Sequence, residues 1–192
     1  MTVRPITIIG HKALHQPTKR VKEITDDIRT LVADMFETME AAKGVGLAAN
    51  QVGVRHRLFV MDCPTEDDGD DNVRAAIINP VLERGPVPVG EPPEEDGAEG
   101  CLSVPGEHFP TARAHWARVT GLDLDGNPIV VEGTGLIARC LQHETDHLDG
   151  KLYLDRLTPT QRTISRQAVK ERGWEAAHIT KWDPATQTAD KV

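Results

Sequence analysis

The nine residues 142–150, Gln-His-Glu-Thr-Asp-His-Leu-Asp-Gly, carry the densest chemistry in this chain. They contain the pattern H-E-x-x-H. On a helix, side chains four apart share a face, so His143 and His147 can offer imidazole nitrogens to one metal ion. Neutral imidazole suits a borderline cation such as zinc or ferrous iron. Glu144, beside the first histidine, can reach a water on that ion, take its proton and pass it to a leaving group. Apolar Leu136, Ile137, Cys140, Leu141 and Leu148 surround the pair, which makes a largely buried helix the expectation. Buried ionisable groups need partners or a metal. That counts against the competing picture, a polar helix face with two solvated histidines.

Two histidines leave a catalytic metal site one protein ligand short of the usual three. Cys63, Cys101, Cys140, His108, His115 and several acids could supply the third. Cys140 stands three residues before His143 on the same stripe, but two turns from His147, which strains simultaneous ligation. Cys101 lies in Glu99-Gly100-Cys101-Leu102-Ser103, after a loop rich in proline, glycine and acids. Spacing alone puts Cys101 only modestly ahead.

Three segments together resemble the three signature motifs of peptide deformylases. They are Gly44-Val45-Gly46-Leu47-Ala48-Ala49-Asn50-Gln51, then Glu99-Gly100-Cys101-Leu102-Ser103, then residues 142–150. The resemblance covers the chain to about residue 160. It implies a cytoplasmic hydrolase that removes the formyl group from the N-terminal formyl-methionine of new polypeptides and releases formate. It implies that Cys101, His143 and His147 hold one divalent ion, with Fe2+ native and Zn2+, Ni2+ or Co2+ able to replace it. Glu144 would move the proton, while the Gln51 amide and the Leu102 backbone N–H hold the oxyanion.

The resemblance also places the methionine side chain against Gly44, Val45, Gly46, Leu136, Arg139 and Cys140. Arg139 is polar where many family members carry an aliphatic residue; its stem can line a pocket while its charge reaches water. His108 stands seven residues after Cys101, where some members carry an arginine that contacts the substrate peptide. Asp146 and Gln142 are candidates to orient the ligand rings or the nearby backbone. Arg162, Arg166, Lys170 and Arg172 give the last helix a basic side, a candidate contact with the ribosome.

Composition bounds the rest. The 192 residues suit one domain with a sizeable core. Hydrophobic residues make up 39% and aromatics 4%, so that core must be mostly aliphatic. A net charge of −8 argues against a grip on nucleic acid as the main function. No apolar run reaches the length of a membrane span, and the first residues lack the apolar core of a signal peptide. Three cysteines suit reduced thiols in a cytoplasm better than a disulfide framework.

The remaining elements must position these residues. Thr25 opens a helix whose Ile28, Leu31, Val32, Met35, Phe36 and Met39 define one buried face, and Gly44 is its expected stop. Residues 44–49 also read G-x-G-x-x-A, with Asp62 downstream, as in a dinucleotide-binding oxidoreductase. That fingerprint must follow a strand, and here a helix precedes it. A tight loop that lets the backbone approach a ligand fits better, with Gln51 as its polar handle.

Residues 57–62 and 75–79 read as strands, separated by the acidic turn 66–71. Residues 85–98 hold too many prolines and glycines for a regular element. Residues 112–125 and 128–132 form a hairpin around Asp125-Gly126. The metal helix follows over 134–149, then an extended stretch 151–157. A helix with a Thr158-Pro159-Thr160-Gln161 capping box comes last. This is an α+β class: small antiparallel strands and sheets packed around a central metal-binding helix, with an N-terminal and a C-terminal helix. Residues 1–172 read as a single catalytic deformylase domain, and 173–192 as a polar C-terminal tail expected to be disordered.

An H-E-x-x-H metallopeptidase would share the histidines and the acid; the glycine loop and the Cys101 segment argue against it. A structural metal site in a binding module would need a fourth protein ligand.

Overall fold

The computed structural model describes residues 2–65, 72–90, 92, 97–174 and 180–192. The acidic turn at 66–71 and residues 91 and 93–96 of the proline-rich approach to Cys101 lie outside the described residues. In chain order the elements are β1 (Ile6–Thr7), α1 (Asp26–Ala41), β2 (Gly46–Ala48), β3 (Leu58–Pro64) and β4 (Asn72–Arg84). Then come β5 (Ala98–Cys101), β6 (Val104–Pro110), β7 (Ala117–Leu122), β8 (Pro128–Gly133), α2 (Gly135–Leu148), α3 (Pro159–Glu171) and β9 (Lys181–Trp182). The main sheet is antiparallel and has five strands in the order β2-β3-β4-β7-β8. β5 pairs with β6, and β1 with β9.

The sheet is covered on both faces, and β3 shows why. Leu58, Phe59, Val60 and Met61 are all fully buried. Successive strand side chains point to opposite faces. Leu58 and Val60 join the cluster of Ile28, Leu31, Val32, Met35 and Met39 from α1. Phe59 and Met61 join Ile137, Ala138 and Leu141 from α2. Each such side chain contributes about 1.5–3 kcal/mol on burial. The continuous apolar run of β3 therefore seats α2 on one face of the sheet and α1 on the other.

α1 starts after Thr25 and buries the expected stripe, except that Phe36 is only partly buried. Its stop differs from expectation. Lys43, with φ 56°, takes the left-handed position, and Gly44 N–H donates to Met39 O at 2.9 Å. Gly44 serves close approach instead: a Cβ there would lie 2.8 Å from Leu102 Cδ1.

Three further differences have physical causes. The β5–β6 hairpin arises in a stretch whose prolines and glycines hide any alternation. Residues 151–157, expected as extended, contain a 3-10 turn at Tyr153–Arg156, which Asp155 closes by accepting Leu152 N–H at 2.9 Å. Residues 180–192, expected as part of a disordered polar tail, lie against the body. Ile6 and Thr7 pair with Trp182 and Lys181, and Trp182 is 3% exposed. Average polarity conceals a single large aromatic whose burial can anchor a short segment. No helix among the described residues is long and apolar enough to cross a membrane.

Candidate active site

α2 places His143 and His147 one turn apart on the face that turns toward β5. Their Nε2 atoms are 3.1 Å apart. Cys101, the last residue of β5, brings its Sγ to 3.2 Å from His147 Nε2. Among the described residues these three form the group of metal-type donors, with ligand atoms all within 4.8 Å of one another. The other candidates fall elsewhere. Cys63 and Cys140 both direct their thiols at Val45 O, at 3.5 and 3.8 Å. His115 is exposed, and His108 lies across the β5–β6 ladder from Gly100.

The donor set fits one divalent cation. Two imidazole nitrogens and a thiol sulfur face one another with no other group between them. Ser103 N–H donates to the sulfur at 3.4 Å. Burial and the neighbouring His143 push the pKa of His147 down, which keeps it a neutral ring with a lone pair to donate. Burial would do the same to His143, but Cys101 and Glu99 outweigh it and push its pKa up. Three donor atoms thus converge on one spot, the number that a catalytic metal site takes from protein.

Glu99 is the functional residue that sequence reasoning missed. It is buried, and His143 Nδ1 donates to its Oε1 at 2.7 Å. Arg113 donates to both Glu99 oxygens, at 2.6 and 3.0 Å, and to Asp146 Oδ2 at 2.6 Å. Arg156 completes the cluster on Asp146. Burial would raise the Glu99 pKa, yet His143 and Arg113 hold it well below the ordinary carboxylate range. A ring whose outer nitrogen is held this way presents its inner nitrogen in a fixed direction. The available signal was its place in the Glu99-Gly100-Cys101 segment, two strand residues from Cys101.

Asp146 and Gln142, the sequence candidates for orienting the rings or the nearby backbone, make no hydrogen bond to either ring among the described residues, but Gln142 does hold nearby backbone. Asp146 binds the two arginines. Gln142 Oε1 accepts from Ala114 N–H at 2.9 Å, and its Nε2 donates to Ala114 O and Ala138 O. It ties the stretch before β7 to α2.

Glu144 is 3% exposed, and its Oε2 has no hydrogen-bond partner among the described residues. Burial pushes its pKa up to about 7. Its carboxylate lies against Gly46 of β2, so closely that a Cβ at Gly46 would collide with Oε1 and come within 2.9 Å of Cys140 Sγ. Gln51 is also buried. Its Oε1 accepts from Ala48 N–H at 2.8 Å, which leaves Nε2 turned toward Ser103 Oγ at 3.2 Å and Cys101 Sγ at 3.7 Å.

A cleft of about 370 Å³ opens beside these groups. It is lined by Gly44, Val45, Gly46, Leu102, Leu136, Cys140 and His108, among others. Val45 and Leu136 stand exposed at its mouth. Arg139 lines it too; its side chain stays partly exposed, as expected, while one end of the guanidinium is tied to the protein. Its Nη2 donates to Gly97 O and Thr111 O at 3.0 Å each, and to Glu99 Oε2 at 3.3 Å. The two loop carbonyls and Glu99 thus hold that end of the guanidinium in place.

A family model described as polypeptide deformylase matches residues 3–163. A peptide deformylase of Mycolicibacterium smegmatis is 53% identical over 189 residues, covering 96% of this chain and 95% of that protein. The crystal structure of peptide deformylase from Ehrlichia chaffeensis in complex with actinonin superposes with a TM-score of 0.76 at 38% identity, covering 90% of this chain and 98% of that one. The crystal structure of peptide deformylase from Thermus thermophilus gives 0.74 at 37%, covering 88% and 94%.

Proposed function

This chain belongs to the polypeptide deformylase family, and from that membership we propose how its residues divide the removal of a formyl group from the N-terminal methionine of new polypeptides. Cys101, His143 and His147 would hold one divalent ion, Fe2+ as the native choice, with Zn2+, Ni2+ or Co2+ as replacements. Such an ion supplies Lewis-acid polarisation of a carbonyl oxygen and acidification of a water.

The observation that carries the reading is Glu144: a buried carboxylate with one oxygen unpartnered, adjoining three convergent donors. It takes a proton from the attacking water as the new C–O bond forms at the formyl carbon. It then delivers that proton to the amine as the C–N bond breaks. Formate and a free N-terminus result. A carboxyl with a pKa near neutrality suits both halves of this transfer. The Gln51 amide presents N–H to the site because Ala48 occupies its oxygen, and with the Leu102 N–H it stabilises the oxyanion.

The methionine side chain fills the cleft between Gly44–Gly46 and Leu136–Cys140, and His108 stands where the following residues pass. The pinned Arg139 offers its aliphatic stem as wall. Nascent chains as substrate place the enzyme in the cytoplasm. A ribosome contact by α3 rests on Arg166 and Lys170, which are exposed. Arg162 is engaged with Asp155 O and Leu157 O, and Arg172 with Glu107. Charge reversal at positions 166 and 170 should weaken cosedimentation with ribosomes, and unchanged cosedimentation rejects the contact.

The test of the activity is direct. Protein prepared anaerobically and loaded with Fe2+ or Ni2+ is offered formyl-Met-Ala-Ser and its acetylated twin. Formate from the first peptide alone is the expected result. No formate at full metal occupancy overturns the reading.

A further inference from the structure

Trp182 lies far along the chain from every motif, yet its indole touches the metal loop. Nε1–H donates to Leu102 O at 2.8 Å. That carbonyl belongs to the same peptide unit as the Ser103 N–H, which donates to Cys101 Sγ at 3.4 Å. One peptide plane therefore joins an indole at its oxygen end to the ligand sulfur at its nitrogen end. An amide whose carbonyl accepts a hydrogen bond is polarised, and its N–H becomes the stronger donor.

The neighbouring bonds repeat the arrangement. Ser103 O accepts from Ile9 N–H at 3.0 Å, and Ile8 N–H donates to Thr180 O at 3.0 Å. Thr7 Oγ1 donates to Gln51 O at 3.0 Å, and Thr7 pairs with Lys181. The β1–β9 ladder thus holds the backbone at Gln51 through Thr7 and the backbone at Leu102 through Trp182. Those two residues carry the proposed oxyanion donors. Trp174 offers the contrast: it is 1% exposed, and its Nε1 has no hydrogen-bond partner among the described residues.

Resting on the roles of Cys101 and Leu102 given above, we propose that Trp182 is a positioning residue of the active site. Its indole N–H fixes the Leu102–Ser103 peptide, and through it the Leu102 N–H and the hydrogen bond to the Cys101 sulfur. The segment around β9 is then part of the catalytic apparatus rather than an appendage to it.

The experiment uses the full chain loaded with Co2+, whose thiolate-to-metal charge-transfer band reports on the sulfur. Trp182→Phe removes the donor but leaves a gap that can loosen β9. A second variant therefore carries benzothienylalanine at position 182, which keeps the bicyclic shape and lacks the N–H. Both should shift the band and lower kcat for formyl-Met-Ala-Ser about fivefold, the equivalent of one neutral hydrogen bond, with little change in KM. Trp174→Phe should leave the band in place. A benzothienylalanine protein that matches the wild type in band or in kcat overturns the proposal. If the unaltered protein releases no formate, the deformylase roles fall, and the band alone then decides for or against the indole's hold on the sulfur.

Discussion

His143 Nδ1 donates to Glu99 Oε1 at 2.7 Å, while Arg113 holds the same carboxylate from behind. Glu99 thus serves two masters, the His143 ring and a buried guanidinium. Glu99→Ala should lower metal affinity by about 10–100-fold, since the ring loses its orienting partner. It should also destabilise the fold by about 3–5 kcal/mol, because Arg113 would be left as a buried cation short of a partner. Chelator competition reads the first effect and denaturant unfolding the second. Wild-type affinity in a folded variant would remove Glu99 from the site.

Glu144→Ala should leave metal content intact and cut kcat by about 10²–10⁴-fold, the usual worth of a positioned acid–base group. Glu144 contributes no atom to the donor group, so metal analysis and rate should separate cleanly. Intact activity would sink the proton-transfer role.

Gly46→Ala tests the space that Glu144 occupies. The backbone at Gly46 is ordinary extended strand, paired with Met61, so an alanine meets no conformational strain. The added Cβ would instead collide with the Glu144 carboxylate. Deformylation should fall steeply, with the metal still bound. An alanine variant with wild-type kcat would show that the carboxylate works from another position.

Metal removal should expose one thiol selectively. Cys101 is partly exposed in the cleft, whereas Cys63 and Cys140 are buried. The Cys63 thiol and burial also push the Cys140 pKa well up, which suppresses its thiolate. Iodoacetamide on chelated protein should label Cys101 first, and loaded protein should resist. Peptide mapping that found equal labelling at all three cysteines would contradict this order.

Asp34 gives a pH test away from the metal. Burial would raise its pKa, but Arg4 and the Thr2 N–H outweigh that and lower it. A carboxylate with a depressed folded-state pKa contributes stability above its unfolded value, about 3.9, and loses it as pH falls through the folded one. The difference in Tm between wild type and Asp34→Asn should be full near neutrality and shrink below about pH 4. A difference that stays constant through this range would dissociate Asp34 from acid stability.

What could be had from the order of residues alone was local or repeated. H-E-x-x-H is a helix pattern, so His143, Glu144 and His147 were legible as a unit before any fold was known. The stripes of α1 and α2 and the apolar run of β3 followed from their periods. Cys101 was different: spacing put it only modestly ahead of the other cysteines and histidines, and the resemblance to deformylases singled it out. Its distance to His147 depends on where the β5–β6 hairpin docks on α2, which no local pattern encodes. The same holds for Glu99 behind His143, for the gap at Gly46 that admits Glu144, for Arg139 turned onto loop carbonyls, and for Trp182 on Leu102. Each is a contact between segments far apart in the chain. Such contacts depend on how covered faces and hydrogen-bond partners are shared once the layers pack, and only the tertiary structure decides that.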